Sequence, residues 1–167
     1  MRKDRPAGKV AAVSISAQKG ERKRNVKEIR LIRDRGVEDD AHCGCGPRQV
    51  SLLALESVEK LVAEIAKETP GSQHPDFRPG DFAENLTSRD IVLHSLPIGT
   101  RLKIGSEAVL ELSQIGKRCH RGCAIREISG DCIMPREGIF ARVITGGRVR
   151  PGDRISVIHT PPRCREN

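Results

Sequence analysis

The chain has 167 residues, 37% of them hydrophobic and 31% charged, and this balance predicts one globular domain rather than a disordered chain. It lacks Trp and Tyr and has only three Phe, which predicts an aliphatic core and makes nucleic acid an improbable partner, because few rings are present to stack on bases. The formal net charge of +8 instead favours phosphate-bearing or other anionic ligands.

The start of the chain is charged and is not followed by an apolar run, so we expect no secretory leader. No stretch approaches the length of a membrane span, and we expect no membrane partner. Six cysteines without a leader predict a cytoplasmic protein with reduced thiols. Such thiols serve metal binding, catalysis or core packing.

The first part of the chain predicts strands and loops. Residues 10–16 have the composition of a strand, and residues 26–33 alternate apolar and charged side chains as a half-buried strand does. Between them the basic run Arg22-Lys23-Arg24 predicts a solvated loop. Residues 34–47 are rich in Gly, Asp and Cys and predict a second loop, and residues 49–53 predict a short extended segment.

Residues 54–67 predict the one clear helix. Its apolar side chains recur at helical spacing. They are Leu55, Val58, Leu61, Val62 and Ile65. Thr69-Pro70-Gly71 would end this helix, because proline cannot continue the backbone hydrogen bonds.

The remainder predicts short strands separated by turns. Residues 96–105 predict a strand between two turns, with Leu102 and Ile104 facing inward, and residues 119–128 are ambiguous between loop and short helix. Further strands are predicted at residues 82–87, 108–113, 139–145 and 154–158. Residues 159–167 predict a flexible tail. Many short strands with one helix indicate a mainly β fold with minor α content, either a barrel or a sandwich.

Several short motifs occur in a fixed order along the chain. They are GVEDDAH at 36–42, RQVSL at 48–52, PGDFAENLT at 79–87, IGTRLKIG at 98–105, QIGKRCH at 114–120, PREGIFARV at 135–143 and PGDRI at 151–155. The ordered set resembles the MOSC domain, the C-terminal domain of molybdenum-cofactor sulfurases, which also occurs alone in bacteria. The resemblance spans residues 8–158 and implies a mixed β-barrel related to the pyruvate-kinase type.

The resemblance also implies a function and a reactive residue. Members of the family bind the molybdenum cofactor or carry sulfane sulfur as a persulfide, and their defining cysteine corresponds to Cys119, which follows Lys117 and Arg118. We therefore expect Cys119 to be the catalytic residue and a molybdenum ligand. The implied partners are the cofactor itself and a sulfur donor, either a cysteine desulfurase or a cofactor-biosynthesis enzyme.

The chemistry of a thiol near basic groups agrees with this role for Cys119. A thiolate is the species that attacks, carries sulfur or ligates a soft metal, and neighbouring cations favour it. Residues 117–150 hold eight Lys or Arg against three acids. The alternative is a small buried apolar residue, which composition alone favours for any free cysteine.

Six residues are candidates for binding the cofactor: His42, Arg48, Asn85, Lys117, Arg118 and Arg142. His42 and Asn85 follow from the resemblance, and the basic residues are suited to phosphate. Arg142 shares a strand face with apolar residues, so we expect it to face a polar pocket or to pair with an acid.

The other cysteines leave alternatives open. Cys123 and Cys132 are possible additional thiols, as resolving partners of Cys119 or as zinc ligands with His42, Cys43 and Cys45. The family pattern does not require Cys43 and Cys45, and their role stays open. The family pattern usually has Gly where this chain has Asp39, and Asp tolerates a positive φ there.

Two other functions remain as alternatives. One is a small molybdenum-dependent reductase of N-hydroxylated compounds, which would need electrons from a partner. The other is a zinc-stabilised structural or nucleic-acid-binding protein. The sequence leaves open whether the protein is an enzyme or a carrier, which substrate it takes and how it oligomerises.

Overall fold

The computed structural model describes residues 5–118 and 132–162. The strands in chain order are β1 (Ala7–Ile15), β2 (Arg24–Val26), β3 (Ile29–Ile32), β4 (Gly36–Val37), β5 (Val50–Ala54), β6 (Leu86–Arg89), β7 (Arg101–Ile104), β8 (Ala108–Ile115), β9 (Ile139–Thr145), β10 (Gly147–Val149) and β11 (Arg154–His159). The helices in these residues are α1 (Leu55–Glu68) and the single turn α2 (Met134–Glu137), with a short 3-10 turn at Leu93–Ser95.

Seven of these strands close into a barrel. The hydrogen-bonded order is β11-β7-β8-β9-β5-β6-β1, and β1 pairs again with β11. The β5–β6 pair is parallel and the other pairs around the ring are antiparallel, so the barrel is mixed. Parallel neighbours need a crossover, and α1 with the loop after it supplies the one between β5 and β6. The predicted mainly β barrel with one long helix is confirmed for the described residues.

A second, smaller sheet has the order β10-β3-β4. It corrects the prediction of one strand at residues 26–33, where the chain changes sheets. Val26 of β2 pairs with Val13 on the barrel, whereas Leu31 of β3 pairs with Gly147 of β10. The sequence pattern shows alternation on both sides of the change but cannot show the change of partner.

The barrel interior is aliphatic, as predicted. Alternate residues of β7 and β8 point inward, and Leu102, Ile104 and Leu110 are fully buried. A second apolar cluster lies between α1 and the barrel wall and includes Leu61 and Phe82. The barrel thus provides a rigid wall, and the second cluster fixes the helix and the loop at residues 79–85 against it.

α1 begins at Leu55, one residue later than predicted, because Ala54 still belongs to β5. Its predicted apolar face packs inward, with Val58 and Leu61 buried. The helix ends at Glu68, and the backbone N–H of the next residue, Thr69, donates to the Ile65 carbonyl at 3.0 Å. No helix in the described residues is both long and apolar enough to span a membrane.

The strand predicted at residues 82–87 begins later than expected, at Leu86. Two features keep the preceding residues out of the sheet. Ala83 has a φ of 62°, which no strand residue adopts. The buried carboxylate of Glu84 accepts the backbone N–H groups of Gly80 at 2.7 Å and Phe82 at 3.2 Å, which closes a tight turn.

Candidate functional site

A cavity of about 580 Å³, called here the site cavity, opens on the barrel wall beneath the loop that follows β4. Its lining residues are Lys19, Gly20, His42, Cys43, Gly44, Cys45, Gly46, Pro47, Arg48, Ser51, Ala83, Asn85, Lys117, Met134 and Phe140. Three of them are Lys or Arg, and no Asp or Glu lines the cavity among the described residues. The site cavity therefore favours anionic ligands.

The site cavity brings together four of the six predicted binding residues: His42, Arg48, Asn85 and Lys117. They come from the loop after β4, the turn before β6 and the segment just after β8. The other two do not line it. Arg118 is exposed, and Arg142 is an exposed residue of β9 that pairs in register with Glu111 of β8.

The predicted thiols fall into two groups. Cys119 and Cys123 lie outside the described residues. Cys132 is buried and packs in the cluster of α1, near Leu53 and Phe140, and it does not line the site cavity. In residues 5–118 and 132–162, no group of three His, Cys, Asp or Glu side chains is arranged to hold a metal ion.

One wall of the site cavity holds the aromatic ring of Phe140 with two cations near it. The Arg48 guanidinium carbon lies 5.9 Å from the centroid of the Phe140 ring, and the Lys117 ammonium lies 6.0 Å from it. Each contact stabilises the cation by about 0.5–1 kcal/mol where it is exposed. The ring thus orients two positive groups beside one apolar surface, which suits a ligand with both a flat and an anionic part.

The buried ion pair of Lys23 and Asp40 contacts one edge of the His42 ring. The Lys23 ammonium donates to the Asp40 carboxylate at 2.7 and 3.0 Å, and both side chains are only 1% exposed. The ammonium also lies 3.1 Å from Ser16 Oγ and 3.3 Å from His42 Nδ1. Since Nδ1 faces this pair, the opposite edge of the half-exposed His42 ring is left for the site cavity.

Asp40 is held as a carboxylate. Burial alone would raise its pKa, but hydrogen bonds from His42 and Lys23 outweigh burial. Backbone N–H groups of Ser16 and His42 donate to the same carboxylate at 2.9 and 3.1 Å. The pKa of Asp40 is therefore well below its usual range, and Asp40 stays ionised at neutral pH.

Asn85 uses its side chain within the protein. Its Oδ1 accepts the Ser51 backbone N–H at 3.2 Å and the Ser51 hydroxyl at 3.1 Å, and its Nδ2 donates to the Ser14 carbonyl at 3.2 Å. These bonds link β1, β5 and the turn before β6. Asn85 therefore stabilises the wall of the site cavity, and it is only 1% exposed.

The buried Glu84 next to it shapes the same turn. Burial raises the pKa of Glu84, while bonds from Gly80, Phe82 and the Thr87 hydroxyl at 2.9 Å act in the opposite direction. This side chain ties the turn to β6. This turn therefore places Ala83 and Asn85 at the wall of the site cavity.

Comparison with known proteins agrees with this architecture. The family model of the MOSC domain matches residues 39–156, more than half of the chain. The chain belongs to the MOSC domain family. This family is associated with the molybdenum cofactor, and the match includes every predicted binding residue.

Solved structures share the fold of this MOSC domain. The YuaD protein of Bacillus subtilis is similar with a TM-score of 0.75 at 20% identity, over 92% of this chain and 97% of that one. YiiM from Geobacillus stearothermophilus has a TM-score of 0.65 at 17% identity, over 91% of this chain and 75% of that one. YiiM from Escherichia coli also has 0.65 at 17% identity, over 93% and 72%. No curated protein matches the sequence.

Two features of this MOSC domain were not predicted from the sequence. Lys23 was predicted in a solvated run and is instead buried, because Asp40 and Ser16 give its ammonium three oxygen acceptors. Cys43 and Cys45, which the sequence offered only as alternative zinc ligands, line the site cavity. Asp39, where the family pattern usually has Gly, has a φ of 62°, a conformation that Asp tolerates.

Proposed function

We propose that this MOSC domain binds the molybdenum cofactor in the site cavity, with Cys119 as the reactive thiol that ligates the metal or carries sulfur for it. The observation that carries the proposal is the gathering of His42, Arg48 and Lys117 around one cavity that no Asp or Glu of the described residues lines. Lys117 precedes Cys119 by two residues in sequence. The family supplies the expectation of a molybdenum site, and the cavity supplies the charge that an anionic pterin needs.

The residues present fit such a ligand. A volume of about 580 Å³ lies within the roughly 300–1,000 Å³ typical of cofactor pockets. Arg48 and Lys117 would hold the phosphate, since guanidinium and ammonium groups bind it through charge-assisted hydrogen bonds. The Phe140 ring offers an apolar face to the flat pterin, and His42 offers a ring nitrogen to its polar edge.

The bound cofactor would supply a redox-active metal in sulfur coordination. The protein's own part is to orient it and to offer a soft ligand. A cysteine thiolate has the softness that a sulfur-coordinated metal accepts. Lys23 and Asp40 contribute indirectly, because they fix the orientation of His42.

The test is metal and pterin analysis after co-expression with an intact cofactor pathway. We expect molybdenum and a fluorescent oxidised pterin at near-equal amounts in the purified wild type. Cys119→Ser should lose the metal roughly tenfold or more, since a hydroxyl replaces the soft ligand. Cys164→Ser, at a cysteine without an assigned role, is the matched control and should keep both. Wild type without metal and pterin, or Cys119→Ser with wild-type content, would contradict the proposal.

Persulfide labelling of the same samples separates the two roles of Cys119. A ligand to the metal gives molybdenum without a persulfide at Cys119. A carrier gives a persulfide at Cys119 even in protein made without the cofactor. Assays of amidoxime reduction with loaded protein and a chemical reductant then decide between a binding module and an enzyme.

A further inference from the structure

Cys43 and Cys45 place two thiols in the site cavity. Both residues line it, Cys43 half-buried and Cys45 exposed, and both are free thiols. Gly44 alone separates them in the chain. The cavity therefore has a dithiol of its own, at a position where the family pattern requires no cysteine.

The backbone lets these two thiols meet. The Cys43 N–H donates to the Asp40 carbonyl at 3.0 Å, and the Gly44 N–H donates to the Arg35 carbonyl at 2.7 Å, so the first half of the loop is anchored. The chain then bends through Gly44, Cys45 and the next two residues. Cα atoms two residues apart are at most roughly 7 Å from each other, and a bend brings them into the range that a disulfide spans.

The two glycines that flank Cys45 lie in open space. Among the described residues, no atom outside the neighbouring residues lies within 4 Å of the place where a Cβ would project from Gly44 or from Gly46. The exposed Cys45 thus stands between two glycines that are not packed against other described side chains. The anchored Cys43 and the exposed Cys45 thus differ in accessibility, which suits them to different steps of one reaction.

The charges that line the site cavity favour an anionic reactant. Lys19, Arg48 and Lys117 line the cavity, and among the described residues no carboxylate does. Positive potential in a concave site raises the local concentration of anions. The reactant that fits two thiols in a basic cavity is a small anionic sulfur donor.

We propose that Cys43 and Cys45 form a dithiol that takes sulfane sulfur from an anionic low-molecular-weight persulfide and releases it as hydrosulfide inside the site cavity. This inference rests on the proposed function, because it supplies sulfur to the cavity in which the cofactor would bind. It assigns the cavity a second sulfur chemistry that is separate from Cys119.

The chemistry takes two steps. The Cys45 thiolate attacks the outer sulfur of the donor R–S–SH; the donor S–S bond breaks, R–S⁻ leaves, and Cys45 carries –S–SH. The Cys43 thiolate then attacks Cys45 Sγ; the bond to the outer sulfur breaks, HS⁻ leaves, and a Cys43–Cys45 disulfide forms. Two electrons pass from the two thiols to the sulfane sulfur. An external dithiol reductant returns the pair to thiols.

The test treats the full chain with glutathione persulfide and analyses tryptic peptides by mass spectrometry. Trypsin releases residues 36–48, which contain Cys43 and Cys45 as their only cysteines, and separates them from Cys119. We expect wild type to lose two hydrogens in this peptide and to release hydrosulfide in equal amount. Cys43→Ser should instead retain one added sulfur on Cys45 and release hydrosulfide roughly tenfold more slowly, because the second nucleophile is gone. A peptide 36–48 that stays unmodified overturns the proposal.

Two controls complete the test. A synthetic peptide of residues 36–48 has the same thiols without the cavity, and the folded protein should react roughly tenfold faster at low salt. Equal rates would overturn the proposal, since the cavity would contribute nothing. Cys119→Ser abolishes the proposed cofactor role but should still form the Cys43–Cys45 disulfide. If Cys119→Ser no longer forms the Cys43–Cys45 disulfide, the sulfur chemistry belongs to Cys119 and the dithiol proposal is overturned. If wild type forms this disulfide but binds no cofactor, only the proposed function is contradicted.

Discussion

The protein has a second basic cavity, and comparing it with the site cavity shows what separates a candidate site from charged surface. This arginine cavity lies between the small sheet and the β7–β8 turn and has a volume of about 680 Å³, larger than the 580 Å³ of the site cavity. Its basic residues are Arg30, Arg33, Arg148 and Arg150. By volume and number of cations alone, it would rank above the site cavity.

The two cavities differ in how their charges are held. In the arginine cavity the cations are exposed and have acidic neighbours: Arg150 lies 2.7 Å from Glu28, which also lies 3.9 Å from Arg148. Exposed pairs of this kind stabilise little and are easily rearranged. Behind the site cavity, Lys23 and Asp40 form a buried pair that fixes His42. Buried polar support, rather than volume, is what gives the site cavity a defined geometry.

The largest loss of stability should come from breaking the buried Lys23–Asp40 ion pair. Lys23→Met leaves the Asp40 carboxylate buried without its cation, and we expect the free energy of unfolding to fall by roughly 3–5 kcal/mol. Urea denaturation measures it. Lys27→Met, an exposed lysine between β2 and β3, is the matched control and should change stability by less than about 0.5 kcal/mol. Equal effects of the two substitutions would mean that the buried pair does not distinguish the site cavity.

Low pH should reduce the stability that the Asp40 carboxylate contributes in this ion pair. Because the folded-state pKa of Asp40 lies below its unfolded value of about 3.9, ionised Asp40 stabilises the fold above that pH and loses this contribution as pH falls further. By about pH 3 the loss from this one group amounts to about 1 kcal/mol. In Lys23→Met/Asp40→Asn this part of the acid sensitivity should be absent. Unfolding curves at about pH 6 and pH 3 compare the two proteins, and an unchanged acid loss in the double variant would contradict the assignment.

Substitution of Asn85 tests whether its side chain stabilises the wall of the site cavity or contacts the ligand. Asn85→Ala leaves the Ser51 N–H and the Ser14 carbonyl buried without their partner, so we expect a loss of about 2 kcal/mol in unfolding free energy. Asn25→Ala is the control, because Asn25 also bonds to Ser14 but is exposed. It should cost about 0.5 kcal/mol. A stable Asn85→Ala that loses only cofactor would return Asn85 to the role of a ligand-contacting residue.

The sequence predicted the barrel strands well where alternation is local. β9 has the predicted bounds, and the inward side chains of β7 and β8 follow from their spacing alone. β4 and β10 were missed, because strands of two or three residues exist only through their partner β3. Such pairing is a long-range property that local composition does not contain.

The candidate site was predictable in part for the same reason. His42, Arg48, Asn85 and Lys117 belong to ordered motifs, and the structure brings them together. Lys23 could not be recognised, because its charged neighbours resemble a solvated run and its partner Asp40 is 17 residues away. Its strand alone predicted that Arg142 would face a polar pocket or pair with an acid, and it lies exposed in register with Glu111. Its exposure depends on which face of β9 the barrel leaves open, and that is decided by closure of the sheet.

The smallest effects on stability should come from single arginines, and these give the sharpest comparison of the two cavities. Arg48→Ala and Arg148→Ala each remove an exposed cation and should change the unfolding free energy by less than about 0.5–1 kcal/mol. Only Arg48 lines the site cavity, beside the Phe140 ring. Losing one charge-assisted contact to phosphate should lower cofactor retention roughly tenfold in Arg48→Ala and leave it unchanged in Arg148→Ala. Molybdenum and pterin content after gel filtration measures both. If Arg148→Ala also loses cofactor, the arginine cavity takes part in binding, and buried support is not what distinguishes the two cavities.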